Sequence, residues 1–139
     1  NIVKDVTDDA KRGWCFIPET ACEDQQLTSQ QLLDPAHSAA AVRAVDTVNK
    51  NARRFFAEAV SYVVALPKQS EGLRRFCLFP MLLAAKTLDL ALGNTAVVDP
   101  SRAVKVSREI VAETAQLVES ILVDDRAIAA LTMSTPAEA

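Results

Sequence analysis

Apolar residues along this chain recur at spacings of three and four rather than alternating, the periodicity of helices with one buried face. The clearest run spans 35–66, where Val42, Val45, Ala52, Phe55, Phe56, Ala59, Tyr62, Val63 and Leu66 keep that spacing. Asp34 stands ready as a cap, Pro35 suits a first turn and Pro67 marks an end, so the pattern predicts one long helix over 35–66. A second helix is predicted over 70–92, opened by Ser70 and stopped at Gly93 and Asn94. Pro80 should kink it, because proline removes a backbone donor and clashes with the preceding turn. A third is predicted over 99–123, opened by Asp99 and Pro100, with Val104, Ile110, Val111, Leu117, Val118, Ile121 and Leu122 on its apolar side. Shorter pieces are the last turns of a helix over 1–12 stopped by Gly13, a loop bearing Trp14, Phe16 and Ile17, a helical turn over 19–23, a polar connection over 23–31 and a closing helix over 125–133. Residues 134–139 read as a frayed tail. With no strand alternation and no internal repeat, the expected fold class is all-α, an antiparallel bundle of long helices, with 1–139 forming a single all-α domain portion.

Composition narrows the possibilities. A chain of 139 residues that is 50% hydrophobic can bury a core. Only 3 glycines and 5% aromatic residues argue against a β-sandwich, a barrel or a glycine-rich nucleotide fold. A net charge of -3 argues against nucleic acid as a partner. The longest apolar run, 76–85, is broken by Pro80 and closed by Lys86, too short to cross a bilayer. No signal-peptide pattern is visible, and a cytoplasmic protein is expected. Cys15, Cys22 and Cys77 form an odd set without a Cys-x-x-Cys pair, and His37 is the single histidine. Reduced thiols and a surface histidine are expected, in preference to a zinc site or a structural disulfide.

The informative segment is the first. In a helix, Asp5 and Asp9 share one face, Asn1 lies a turn earlier on it, and Asp8 adds a third carboxylate. Like charges so placed repel by a few tenths of a kcal/mol, about the size of one helical side-chain pair. One reading is a solvated acidic face. The other is a hard divalent ion, for which one or two carboxylates plus substrate phosphate is a usual set in the case of magnesium. Lys4, Lys11 and Arg12 surround the acids, as a diphosphate site would need and as ordinary ion pairs would also provide.

The segment containing Asn1, Lys4, Asp5, Asp8 and Asp9, followed by Gly13 and Pro18, resembles the second aspartate-rich motif of the squalene and phytoene synthase family. Arg74, Arg75, Phe76, Cys77 and Pro80 resemble the Phe-Cys-x-x-Pro segment of squalene synthases, and the stretch from Ala103 through Lys105 to Arg108 resembles the Val-Lys-Ile segment that follows it. The order and separations agree across nearly the whole chain, with a bacterial wording. The resemblance implies an isoprenoid-synthase-type helix bundle, here partial. It also implies head-to-head joining of two farnesyl diphosphates to presqualene diphosphate, followed by reduction to squalene with NADPH, in a Mg2+-dependent reaction on the way to sterols, hopanoids or carotenoids.

Residue by residue, the resemblance makes Asp5 and Asp9 catalytic metal ligands. It places Asn1 and Lys4 near diphosphate or cofactor, Phe76 in the pocket of the second half-reaction, with core packing as the other reading, and Lys105 on cofactor phosphate. Arg108 is offset, since the family's second basic residue stands where this chain has Ser107. Arg12 precedes Gly13, whereas many relatives carry an arginine after the glycine; it can reach the same diphosphate from the other side of the turn. The first aspartate-rich motif and the tyrosine-rich segment are not among these residues. The chain is therefore expected to be the carboxyl-terminal half of a prenyl synthase domain, to need the amino-terminal half as partner, and to be inactive alone. Peripheral membrane contact is compatible with a lipid product. The alternatives are a dehydrosqualene or phytoene synthase that omits the reduction, and a non-catalytic helical interaction domain.

Overall fold

The computed structural model describes residues 1–133, and the expected tail at 134–139 lies outside the described residues. The described chain is all-α: α1 (Val6–Ala10), α2 (Glu19–Glu23), α3 (Ser38–Arg54), α4 (Phe56–Ala65), α5 (Glu71–Ala91), α6 (Arg108–Ile121) and α7 (Asp125–Ala129), with no strand among the described residues. Single 3-10 turns stand at Ser29–Gln31, Pro35–His37 and Thr95–Val98. Among the described residues, no helix is long and apolar enough to cross a membrane.

The chain divides into two compact units, Asn1–Asn51 with Thr87–Lys105, and Ala52–Lys86 with the chain from Val106 onward. Each has its own core. In the first, Val3, Val6, Ile17, Cys22, Leu32, Val45 and Ala91 pack with Val97, Val98 and Val104. The amide of Asn49 is wholly buried there and donates to the Leu88 carbonyl at 2.8 Å, which satisfies a carbonyl of α5. In the second, Phe56, Val60, Val63, Leu78, Leu82, Val118, Leu122 and Ile128 form the core, and α7 packs on both α4 and α6.

Three predicted elements are corrected. The helix expected over 35–66 is three pieces. Asp34 does act as a cap, but of the 3-10 turn, its carboxylate accepting from the Ala36 N–H at 2.9 Å. Phe55 separates α3 from α4, its N–H bonding the Ala52 carbonyl at 3.3 Å, a tighter turn than the α-helix allows. That break leaves Phe55 exposed and Phe56 buried. The helix expected over 99–123 starts only at Arg108, where the Ser107 hydroxyl accepts from the Ile110 N–H. Asp99 makes a turn instead, its carboxylate taking the Ser101 N–H at 2.9 Å and the Ser101 hydroxyl at 2.7 Å. The segment over 1–12 is helical only at Val6–Ala10, extended backward by one turn through the Asp5 N–H on the Asn1 carbonyl. The helix expected over 70–92 is found as α5 and runs on through Pro80. Gly93, at φ 65, closes it and gives its N–H to the Asp46 carboxylate at 3.1 Å. The closing helix is the shorter α7, capped by Asp124, which accepts from the N–H groups of Arg126 and Ala127.

The second unit holds a charged group inside. The Arg74 side chain is 0% exposed and pairs with Asp125, whose other oxygen meets Lys68 at 3.0 Å. Two further guanidinium nitrogens, Nε and Nη1, are buried with no hydrogen-bond partner among the described residues. An arginine so enclosed depends on its carboxylate. Hydrogen bonds from Arg74 and then Lys68 hold the Asp125 carboxyl below its ordinary value. A depressed carboxylate stabilises the fold fully above its unfolded pKa and loses that contribution as pH falls through the folded value. Asp125→Asn is therefore expected to be less stable than wild type at neutral pH, with the difference shrinking as the solution is acidified below the carboxylate range. Urea midpoints measured across that range check it, and a constant difference would refute it. Leu78→Ala, at a fully buried position, should cost about 2–5 kcal/mol in the same assay.

Candidate functional site

α1 packs against the Thr95–Val98 turn, and Val3, Val6, Val97, Val98 and Val104 fill the space between. That packing brings the acidic segment and the segment that follows Asp99 to a cavity of ≈ 240 Å³. Its wall carries Lys4, Asp5, Asp8 and Lys11 from one side and Pro100, Ser101, Arg102, Ala103 and Lys105 from the other. Four cations thus face two carboxylates. Asn94 fixes the Thr95–Val98 turn by accepting the Ala96 N–H, and the Asp99 turn then delivers Ser101 and Arg102 to the wall.

Each acid of the first segment has a base of its own. Lys4 pairs with Asp5, Lys11 with Asp8 at 2.8 Å, and Arg12 with Asp9 at 3.3 Å. The hydrogen bond and charge of Lys11 hold the Asp8 carboxyl below its ordinary range, aided by Arg12 and Lys105. These pairs relieve the repulsion that the sequence spacing creates.

The backbone bonds from Asp5 N–H to Asn1 and from Asp9 N–H to Asp5 set the three residues in helical register, as expected. Their side chains nonetheless line different spaces. Asp5 belongs to the charged cavity. Asp9, its side chain 14% exposed, lines a small cleft of ≈ 30 Å³ with Ile2, Val6, Ala10, Trp14 and Phe16. Arg12 lies over the Trp14 ring at 5.8 Å, and the Trp14 and Phe16 rings meet edge to face at 6.3 Å. Gly13, at φ 76, makes the turn that brings this aromatic pair back toward the acids. Asn1 is exposed.

Phe76 and Arg108 belong to the second unit. Phe76 is 75% exposed and not a core residue. With Gly72, Arg75, Phe79, Pro80, Ala115, Val118 and Glu119 it lines an apolar cavity of ≈ 600 Å³. One edge of that cavity is tied by Arg75, which grips Glu119 through Nε at 2.5 Å and Nη2 at 2.9 Å. Arg108 is exposed at the start of α6. The structure therefore groups Lys4, Asp5 and Lys105, and sets Asp9 with Arg12. The reading of the sequence missed Arg102 as a cavity residue, because a helix over 99–123 hides the turn that presents it; the Asp99-x-Ser101 spacing is the signal that could have shown it.

Cys15 is exposed, Cys22 buried and Cys77 between the two, and all three are free. Burial pushes the Cys22 thiol up, so it stays protonated and inert. His37 is part-exposed beside Asp34 at 3.8 Å.

Lys11→Met is expected to raise the Asp8 pKa toward the ordinary aspartate value, read from the carboxyl carbon shift in an NMR titration. An unchanged Asp8 titration would show that the pair does not form in solution.

Comparison with curated proteins gives no match. Comparison with solved structures gives none either. Among protein families, the one described as squalene/phytoene synthase matches residues 1–109, a span that includes every residue of the charged cavity. The match covers well over half of the sequence, and the chain belongs to the squalene/phytoene synthase family.

Proposed function

We propose that this chain is the diphosphate-holding, carboxyl-terminal part of a prenyl-coupling enzyme close to bacterial squalene synthase. The enzyme joins two farnesyl diphosphates head to head and reduces the product to squalene with NADPH. One observation carries the reading: a cavity in which two carboxylates and four cations converge from segments at opposite ends of the family match. Carboxylates suit a hard cation and ammonium or guanidinium groups suit phosphate, and a metal-assisted diphosphate departure needs both together.

Asp5 and Asp9 offer hard oxygens, and among the described residues no three His, Cys, Asp or Glu side chains gather to hold a metal ion. The protein would then supply one or two carboxylates, and phosphate oxygens would complete the shell, as magnesium commonly accepts. When bound, the metal supplies Lewis-acid neutralisation of a leaving diphosphate. The chain's own share is binding and orientation. Asp5 would hold the ion from the charged cavity and Asp9 from the small cleft it lines, Lys4 and Asn1 would stand beside it, and Arg12 would reach from the Gly13 turn. Lys105 meets phosphate oxygens of the diphosphate or of NADPH. It is exposed at the cavity and has no ion-pair partner within 4 Å among the described residues. In the second unit, the apolar lining of the cavity at Phe76 suits a prenyl chain.

Incubating the intact protein with farnesyl diphosphate and Mg2+, with and without NADPH, should give squalene only when NADPH is present. Products indifferent to NADPH would replace this reading with a dehydrosqualene synthase, and a preference for geranylgeranyl diphosphate with a phytoene synthase. Asp5→Ala and Asp9→Ala should each lower kcat/KM by roughly 100-fold or more, because the metal's charge stabilisation is lost. The thermal midpoint should barely move, since partly exposed ion pairs contribute only about 0–1 kcal/mol. Full activity in both variants would overturn the metal-ligand reading, and no coupling activity in the intact wild-type protein would leave a non-catalytic helical domain.

A further inference from the structure

The charged cavity holds more positive charge than its acids neutralise. Lys4 is committed to Asp5 and Lys11 to Asp8. Arg102 and Lys105 remain on the opposite wall, and among the described residues neither has an ion-pair partner within 4 Å. The nearby Asp99 carboxylate accepts the N–H and hydroxyl of Ser101 and keeps its charge, which Arg102 feels without a direct ion pair. Arg102 is placed by structure, not left to swing: its N–H bonds the Asp99 carbonyl at 3.0 Å, and its Nη1 meets the Thr95 hydroxyl at 3.4 Å. Val104, buried in the core, pins the backbone between the two cations. A guanidinium and an ammonium three residues apart on one wall, on a cavity whose cations outnumber its carboxylates, match an anion with two phosphate groups. A planar guanidinium can also grip two phosphate oxygens at once.

Arg108 does not fill this role, and Ser107 cannot, since its hydroxyl is spent on capping α6. We propose that Arg102 is a substrate-binding residue of this chain, pairing with Lys105 to clamp the diphosphate group and to select it over a monophosphate. The assignment rests on the diphosphate reading of the cavity given above, and it adds the residue that recognises the second phosphate.

The test is calorimetric titration of the intact protein with inorganic pyrophosphate and, separately, with inorganic phosphate, alongside steady-state kinetics on farnesyl diphosphate. Wild type should bind pyrophosphate more tightly than phosphate. Arg102→Gln should weaken pyrophosphate binding by about tenfold or more, the scale of one charged hydrogen-bonded contact, and raise KM in parallel. It should leave phosphate binding nearly unchanged and the circular-dichroism melting midpoint in place. Arg102→Lys should recover part of the loss, since charge is restored without the two-pronged geometry. Lys50→Gln, at an exposed site on α3 away from the described cavities, should match wild type. Pyrophosphate binding and KM unaltered in Arg102→Gln would overturn the proposal while leaving the coupling reaction standing. Arg102-dependent pyrophosphate binding in a protein that couples no prenyl substrate would uphold the clamp and overturn the reaction instead. Equal weakening of both anions would also overturn it, by showing a general charge effect.

Discussion

The candidate site depends on one apolar contact, the seating of α1 on the Thr95–Val98 turn through Val3, Val6, Val97, Val98 and Val104. None of those side chains has any chemistry to offer. Their burial is worth about 1.5–3 kcal/mol each, and it holds two charged strips of chain side by side that would otherwise repel or drift. The cations and carboxylates sit at the edge of that contact, where water still reaches them. They avoid the desolvation cost that the wholly enclosed Arg74 bears in the other unit. Apolar packing therefore sets the geometry and the charged groups exploit it.

The coupling reaction proposed above begins with an ion and ends with a hydrocarbon. A diphosphate requires a wet, charged place to bind and leave, and an allylic cation requires a dry one. The two kinds of surface are found in different compact units of the chain: charged residues around Asp5 and Lys105 in the first, apolar ones around Phe76 in the second. The family match extends over 1–109 and so takes in the charged cavity entirely and Phe76 with it.

Much of this was legible in the sequence wherever a local rule decided the structure. Periodicity located the helices. Gly13 and Gly93 marked two real turns, and the spacing of Asn1, Asp5 and Asp9 gave their register. What the sequence hid followed from competition between neighbouring polar groups. Asp99 had a serine two residues on and made a turn rather than a helix start, so capping passed to Ser107. Phe55 and Phe56 look alike in a periodicity count, yet Phe55, at the break between α3 and α4, is exposed and Phe56, the first residue of α4, is buried. The side-chain partners of Asp5 and Asp9 could not be read from spacing either, since Lys4 and Arg12 each lie close enough in sequence to serve more than one acid.

Trp14 is the single tryptophan of the chain, and it stands beside the guanidinium that also holds Asp9. Indole emission responds to the charge and polarity around the ring. Anything that draws Arg12 away from Asp9, whether a cation arriving at the carboxylate or an anion arriving at the guanidinium, changes the field on that ring. Trp14 is consequently placed by the Gly13 turn to report, through its own emission, on the state of the Arg12–Asp9 pair.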